Sequence, residues 1–279
     1  MHSELQDFRS VLTSKCITVV QSGRKCKDVI RTIKSKCSTQ KFIGYDAEWV
    51  TVEGKRKPVA LLQLATADGY CALIRLCNMD YMPKVLSDFL SDPTILKLGV
   101  APVDDALKLY NDYGLNTNGT FDLRYLAVLT GRNGGGLANL SKHVLQVQMD
   151  KSYYIRCSDW QADRLSQRQI SYAAADAILA VDIYMKLFNE LLQDCGLSKA
   201  CQSIFPLLDV EYAQKKANDM RRQRLQQTIE RNLQKKQKEL SNTTESDCLE
   251  KESEQPRCSG HSQSIGAGNS SLCEVLTSN

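Results

Sequence analysis

Histidine is scarce in this 279-residue sequence, with only His2, His143 and His261 present. A catalytic triad or a histidine-bound metal needs a histidine close to its partner residues, and two of these three lie near the chain ends. His143 falls in a helical pattern and is interpreted as a partly buried helix residue. We therefore expect no histidine chemistry at the functional site.

The sequence has no pair of cysteines in a C-x-x-C arrangement, and its eleven cysteines are scattered. This spacing disfavours both a zinc site and a disulfide framework, and it favours a reducing compartment. No apolar run approaches the roughly 18 residues that span a bilayer, and the N-terminus has no apolar segment typical of a secretory signal. The prediction is an intracellular protein without a membrane span, in the nucleus or cytoplasm, with the mitochondrion as the alternative.

Neither of the two glycine-rich phosphate-binding motifs is present, since Gly134–Gly136 follows no predicted strand. The hydrophobic fraction of 42% and the charged fraction of 24% are those of a globular protein with a core. The net charge of +4 permits nucleic acid as a partner without requiring it.

Hydrophobic patterning predicts strands early in the chain and alternating strands and helices later. The predicted strands are Ile17–Val20, Phe42–Val50, Val59–Ala65, Tyr70–Leu76, Ile95–Val100 and a piece ending at Asp122, with a charged turn at Gly54–Pro58. The predicted helices begin after Ser22 and at Pro83, Asp104, Leu123, Leu137 and Ser166, and end near Ile33, Leu90, Tyr113, Leu129, Val147 and Leu192. This order predicts an α/β fold with a mixed β-sheet flanked by helices, as in ribonuclease-H-like folds.

Composition divides the chain into four predicted segments. We expect an N-terminal extension over residues 1–15, a main domain over 16–209, a basic helical segment over 210–240 and a disordered tail over 241–279. The basic segment is interpreted as a solvated helix, with a phosphate-binding arm or a nuclear-localisation patch as the alternatives.

Two acids at the end of the second strand, Asp46 and Glu48, are separated by one residue. Side chains at positions i and i+2 of a strand share a face, so both carboxylates would be within reach of one cation. Taken alone, the pair is more simply a strand ending in solvent-facing acids.

Further acids occur at two other places. Asp104 and Asp105 follow a predicted strand at the start of a helix, where capping or the helix dipole would also favour an acid. Tyr172 and Asp176 are four residues apart in the longest helix and therefore share a face. Four acids on three segments, without histidine, are suited to hard divalent cations such as Mg²⁺, and two such ions serve displacement at phosphorus.

These motifs together resemble the DEDD 3′–5′ exonucleases of the tyrosine subclass. The strings FIGYDAEW, PVALLQLAT, FDLRYLA, RCSDW and LSQRQISYAAADA are similar to the Werner-type exonuclease domain and to the exonuclease 3′–5′ domain-containing proteins of eukaryotes. The resemblance covers roughly residues 17–192 and implies a DnaQ-like 3′–5′ exonuclease fold. In the histidine subclass a base stands five residues before the last acid, and here that position is Ser171.

The resemblance implies a role for each site residue. Asp46 would bridge two divalent cations, Mg²⁺ or Mn²⁺, Glu48 and Asp176 would complete the tighter site, and Asp105 would hold the second cation. Tyr172 would orient the attacking water, because a phenol is a poor base at neutral pH. The family pattern G-V-G-x-x-x-D is GVAPVDD here, so either Asp104 or Asp105 could face the metals, and the spacing to Lys108 favours Asp105.

The function implied is phosphodiester hydrolysis at nucleic-acid 3′ ends with release of nucleoside 5′-monophosphates. The alternative is a catalytically silent nucleic-acid-binding or scaffold protein on the same fold, which would have lost at least one of the acids. The sequence does not separate DNA from RNA as the partner, and it leaves the oligomeric state open, a homodimer included.

Overall fold

The computed structural model describes residues 5–150 and 152–204, and beyond them residues 209, 211, 215, 219, 222, 223, 226, 227 and 229–235. The chain divides into two compact units, Met1–Asp219 and Met220–Asn279. The described residues between 211 and 235 are helical and exposed in either unit. The predicted tail at 241–279 lies outside the described residues, and the predicted domain limits stay predictions.

Among the described residues up to Ile204, the chain forms eight strands and eight α-helices. The strands are β1 Gln6–Asp7, β2 Cys16–Val20, β3 Phe42–Val52, β4 Lys55–Ala65, β5 Tyr70–Arg75, β6 Leu96–Gly99, β7 Thr120–Asp122 and β8 Val147–Gln148. The helices are α1 Phe8–Leu12, α2 Gly23–Lys36, α3 Lys84–Leu90, α4 Pro102–Tyr113, α5 Leu123–Leu129, α6 Leu137–Leu140, α7 Tyr153–Arg156 and α8 Gln167–Ile204.

Six of the strands form one mixed sheet in the order β2-β5-β4-β3-β6-β7. β4 is antiparallel to both neighbours, β3 and β5, whereas β2, β6 and β7 pair in parallel. Three consecutive strands with tight connections predict an antiparallel meander, and β3, β4 and β5 form one. The predicted α/β class with a mixed, helix-flanked sheet is also confirmed. β1 and β8 form a separate two-stranded ladder.

The two faces of the sheet are covered by different helices. Residues of α2 and α3 pack with Ile43, Tyr45 and Ala47 of β3 on one face. α8 packs on the other face, against β3, β4 and β5. Because side chains alternate along a strand, Gly44, Asp46 and Glu48 face α8. The sheet thus places the two acids of β3 opposite the helix that carries Asp176.

The turn between β3 and β4 is tighter than the sequence indicated. Val52 pairs with Lys55, which leaves Glu53 and Gly54 as the only turn residues, both with positive φ (48° and 73°). Two-residue hairpins of this kind follow the natural twist of the strands. The predicted charged turn at Gly54–Pro58 was wrong, since Lys55–Pro58 already belong to β4.

α4 begins two residues before the predicted start at Asp104. Ala101 adopts the left-handed conformation and Pro102 opens the helix, so Asp104 is not the N-cap. The buried face consists of Pro102, Asp105 and Leu109, while Leu107 and Tyr110 are more than half exposed. Hydrophobicity alone predicts Leu107, Leu109 and Tyr110 as the apolar positions of this helix, and that prediction is confirmed for Leu109 and wrong for the other two.

Hydrogen bonds connect the C-terminal end of α4 to β4. The partly buried carboxylate of Asp112 accepts hydrogen bonds from both terminal nitrogens of Arg56, at 2.7 Å, and from the backbone N–H of Val59 at 2.8 Å. The hydroxyl of Tyr113 donates to the carbonyl of Val59 at 2.6 Å. Charge-assisted bonds of this type are stronger than neutral ones. They fix the helix that presents Asp105.

The helix predicted from Leu137 to Val147 also differs from the structure. Instead of one helix to Val147, α6 ends at Leu140 and a π-helical turn, Ser141–Leu145, ends at Gln146 in the left-handed conformation. The hydroxyl of Ser141 donates to the carbonyl of Val147 at 3.0 Å, which stabilises this ending. His143 is exposed on this turn rather than partly buried.

α8 is longer than predicted and is interrupted at Gly196, where φ is 74° and ψ is 166°. Among the described residues, no helix is both long and apolar enough to cross a membrane.

Candidate active site

Three carboxylates converge between β3 and α8. Asp46 and Glu48 from β3 and Asp176 from α8 each offer a ligand oxygen, and these atoms all lie within 4.8 Å of one another. Asp176 is 5% exposed. Three acids this close together, with two of them on one strand and the third 128 or more positions further on, require the helix and the strand to approach closely.

Gly44 permits this approach. A Cβ atom at Gly44 would lie 1.8 Å from the backbone oxygen of Ala177 and 2.7 Å from its carbonyl carbon. The backbone of α8 therefore occupies the space that any side chain at position 44 would fill. Asp176 immediately precedes Ala177, so this contact brings its carboxylate down to the level of Asp46.

Asp105, and not Asp104, is directed towards the cluster. Asp105 is 8% exposed, and its carboxyl is close enough to Asp46 for its charge to raise the pKa of Asp46. Lys108 contacts the same carboxyl at 3.2 Å. Asp104 is exposed at the rim of the cavity. The structure thus brings four of the sequence-predicted acids together and leaves Asp104 outside the cluster.

Tyr172 lies one helical turn before Asp176 on the same face of α8. Its ring packs against Trp160, with centroids 6.1 Å apart, and Trp160 is fully buried. Burial, followed by the charges of Asp176, Glu48 and Asp46, raises the pKa of the Tyr172 hydroxyl far above its usual range. The phenol is therefore protonated at neutral pH and can act as a hydrogen-bond donor.

Burial dominates the electrostatics of the acids. Removal from water, reinforced by the neighbouring carboxylates, raises the pKa of Glu48 to about 9 and that of Asp46 well above its ordinary range. Burial also raises the pKa of Asp176 to about 8, against the opposing effects of Tyr172 and Arg156. Lys108 limits the rise for Asp105, whose pKa reaches about 6. The protein alone does not compensate these negative charges.

The donor set fits divalent cations. Oδ2 of Asp176 is buried and has no hydrogen-bond partner among the described residues. Buried polar atoms normally have a hydrogen-bond partner. A bound cation would provide the missing partner for this carboxylate oxygen, which lies beside two other carboxylates. All the available ligands are oxygens, which suits Mg²⁺ or Mn²⁺. Asp46, Glu48, Asp105 and Asp176 are the residues that could hold such ions.

These pKa shifts predict how stability depends on pH when no metal is bound. Because the folded-state pKa values of Asp176 and Glu48 (about 8 and about 9) exceed the ordinary 3.8 and 4.5, the folded chain binds more protons between those limits. Its free energy of unfolding must then fall as the pH rises through this window. With EDTA present, we expect the melting temperature to drop by ~5–10 °C between pH 6 and pH 9, and excess Mg²⁺ or Mn²⁺ to restore it.

Differential scanning calorimetry of the wild type, Asp46→Asn and Asp88→Asn would measure this effect. The Asp46 variant should show a smaller pH slope in EDTA, because one buried charge is gone. Asp88 is an exposed residue paired with Lys84 at 2.7 Å and serves as the matched control, with a slope equal to that of the wild type. A pH-independent melting temperature of the metal-free wild type would contradict the buried-acid description.

Sequence reasoning gave no role to several residues that line the cavity around the acids. This cavity has a volume of about 750 Å³, and Asp46, Glu48, Asp105 and Tyr172 line it. Its walls also include Trp49, Lys108, Tyr153, Arg156 and Cys157. The ammonium group of Lys108 lies 4.4 Å from the ring centroid of Trp49. The cation–π contact and the ion pair with Asp105 together fix this lysine. In the sequence, only the position of Lys108 three residues after Asp105 could have indicated that this lysine lies at the site.

Gln63 was also missed. It pairs with Asp46 across β3 and β4, it is fully buried, and neither atom of its amide group has a hydrogen-bond partner among the described residues. Directly opposed residues on adjacent strands share a face, so this amide lies beside the acid cluster. A single amide within the apolar run VALLQLA was the signal that could have identified it.

A family model described as 3′-5′ exonuclease matches residues 17–192, a range that contains all five candidate site residues. The exonuclease 3′-5′ domain-containing protein 2 of Drosophila melanogaster is 44% identical over 186 residues, which are 66% of this chain and 32% of that protein. The Homo sapiens protein of the same name is 40% identical over 187 residues, covering 64% of this chain and 30% of its own length.

More distant similarity extends to the bifunctional 3′-5′ exonuclease/ATP-dependent helicase WRN of Mus musculus, which is 32% identical over 185 residues, or 64% of this chain and 13% of that protein. The chain therefore spans a third or less of the length of these curated relatives. Among solved structures, the EXD2 exonuclease domain soaked in Mn is 35% identical, with a TM-score of 0.41, over 64% of this chain and 95% of that one.

Proposed function

Because the chain belongs to the 3′-5′ exonuclease family, we propose that it is a metal-dependent nuclease that removes nucleotides from nucleic-acid 3′ ends. The products would be nucleoside 5′-monophosphates. The observation that best supports this proposal is the convergence of Asp46, Glu48 and Asp176 within 4.8 Å, with Asp105 beside them. We place this activity in a domain that spans residues 16–209.

Each acid has a distinct proposed role. Asp46 interacts with all three other carboxylates, which makes it the candidate for a ligand shared by two cations. Glu48 and Asp176 would complete one cation site, and Asp105 would contribute to the other. Two bound divalent cations would supply Lewis-acid chemistry, stabilising charge on the phosphate and making a water molecule more acidic.

Tyr172 is proposed to orient the attacking water. Its pKa is raised by burial and by the three nearby carboxylates, so it keeps its proton and cannot serve as a base. A protonated hydroxyl on the face of α8 that carries Asp176 can donate or accept one hydrogen bond at the site. Its packing against Trp160 fixes the direction of that bond.

The proposed partner is single- or double-stranded nucleic acid with a free 3′ end, of either sugar type. The decisive experiment uses 5′-labelled DNA and RNA strands of the same sequence, incubated with the full chain in Mg²⁺, in Mn²⁺ or in EDTA. We expect a ladder of products shortened from the 3′ end with either metal and none in EDTA. A strand with a blocked 3′ end should stay intact.

The same assay tests the alternative, a silent nucleic-acid-binding or scaffold protein. That alternative requires the loss of an acid, whereas Asp46, Glu48, Asp105 and Asp176 are all present. If the wild type and the double variant Asp46→Ala, Glu48→Ala leave the strands equally intact while both bind them, the exonuclease proposal is wrong.

A further inference from the structure

Arg156 lines the catalytic cavity at the end of α7. It lowers the pKa of Glu48 and of Asp176, so its positive charge acts on the acid cluster. Even so, among the described residues no carboxylate lies within ion-pair distance of its guanidinium, and its side chain makes no hydrogen bond. By contrast, six other described arginines form an ion pair with an aspartate or glutamate, namely Arg9, Arg31, Arg56, Arg124, Arg132 and Arg168.

The backbone of Arg156 is held firmly although its side chain is exposed. The indole N–H of the buried Trp160 donates to the carbonyl of Arg156 at 3.1 Å. Ile155, the preceding residue, is 4% exposed and belongs to the core beneath α8. Trp160 in turn packs against Tyr172. One tryptophan therefore links the position of this guanidinium to that of the proposed water-orienting tyrosine.

Binding a negatively charged phosphodiester at this acidic site requires a positive charge that Arg156 can supply. Four carboxylates repel a phosphodiester, and two bound dications would only cancel their charge. Lys108, the other cation on the cavity wall, is already paired with Asp105 and stacked on Trp49. Arg156 is the remaining described cation that lines this cavity. Guanidinium groups bind phosphate oxygens through two parallel hydrogen bonds, which a lysine cannot do.

We propose that Arg156 is a substrate-binding residue that holds the phosphate of the 3′-terminal nucleotide, the phosphate that becomes the 5′-phosphate of the released product. This inference rests on the proposed function of the same cavity. It assigns Arg156 to phosphate recognition and leaves cation binding to the four acids. The unpaired state of the guanidinium in the free protein leaves it available for the substrate.

The test is the binding of AMP and of adenosine, each in Mn²⁺, measured by titration calorimetry. Losing a charge-assisted hydrogen-bonded contact should raise the Kd for AMP by roughly 10–100-fold in Arg156→Gln. Adenosine, which has no phosphate, should bind the wild type and this variant equally. Arg156→Lys keeps the charge without the planar fork and should fall between them. The matched control is Arg164→Gln, because Arg164 is exposed and does not line the cavity.

Strand-shortening kinetics and metal binding complete the experiment. For Arg156→Gln we expect KM for an oligonucleotide to rise more than kcat falls, with the Mn²⁺-induced rise in melting temperature equal to that of the wild type. If Arg156→Gln binds AMP as tightly as Arg164→Gln while the wild type shortens strands, the role of Arg156 is refuted and the exonuclease proposal stands. Loss of the Mn²⁺ effect in Arg156→Gln would also refute it. A wild type that neither shortens strands nor binds AMP would overturn both proposals.

Discussion

Replacing Asp46 with asparagine is expected to reduce the rate of 3′-end shortening by about 10³-fold or more. Asp46 interacts with each of the other three acids, so its loss would affect both proposed cation sites at once. Several kcal/mol of transition-state stabilisation come from a metal that polarises phosphate, and about 4 kcal/mol corresponds to this factor. The measurement is kcat/KM on a 5′-labelled oligonucleotide at saturating Mg²⁺ and Mn²⁺.

Tyr172→Phe provides the comparison for Asp46. This change removes one hydroxyl and no metal ligand, and we expect a loss of about 10–100-fold. Equal losses for Asp46→Asn and Tyr172→Phe would show that Asp46 is not a shared ligand. The Asp46 variant should also melt at a higher temperature than the wild type in EDTA at pH 8, because burial opposes its charge. A site that lowers stability in this way is common where function requires clustered charges.

Replacing Gly44 with alanine is expected to destabilise the domain by about 3 kcal/mol or more. The new Cβ would lie 1.8 Å from the oxygen of Ala177, where ordinary contacts begin at 3.4 Å. The obstructing atom belongs to the backbone of α8, so relief requires the helix itself to move rather than a side chain to rotate. Overpacking of this kind costs 1–3 kcal/mol or more and would lower the melting temperature by roughly 6–12 °C.

Activity should fall with the displacement of α8. A shift of about 1 Å in a catalytic group can cost about 10²-fold in rate, and Asp176 would move together with Ala177. We therefore expect the folded fraction of Gly44→Ala to lose about 10²-fold in kcat. Gly136→Ala is the control, since no atom lies within 4 Å of the added Cβ and its φ is −63°, and its unfolding free energy should change by less than ~1 kcal/mol. Similar melting temperatures for the two variants would contradict the close-contact description.

Local features of the site could be predicted because they depend on short-range geometry. The D-x-E spacing of Asp46 and Glu48 fixes a common face within any strand, and the four-residue spacing of Tyr172 and Asp176 does so within any helix. Which face is buried, and against what, depends on contacts between distant segments. The approach of Gly44 to Ala177 and the unsatisfied amide of Gln63 therefore became visible only in the folded chain.

The incorrect predictions have the same origin. Leu107 looked like a core residue by hydrophobicity, but Asp105 occupies that side of α4 because the helix starts at Pro102 and faces the cluster there. An acid in a buried helical position contradicts the usual pattern of apolar residues facing inward. The early end of the helix at Leu145 depends on the left-handed Gln146 and on the hydroxyl of Ser141 bonded to Val147. Neither is apparent from hydrophobic periodicity.

The contact between Gly44 and Ala177 has a consequence for the synthesis of the protein. At about 5–20 residues per second, a ribosome needs roughly 6–26 s to pass from Asp46 to Asp176. During that interval the face of the sheet that α8 will cover, including Leu61 and Leu73, lacks the apolar residues of this helix. Transiently exposed apolar surface of this kind favours aggregation, which chaperones counteract. The final closure of the domain and the assembly of its acid cluster are then the same late event.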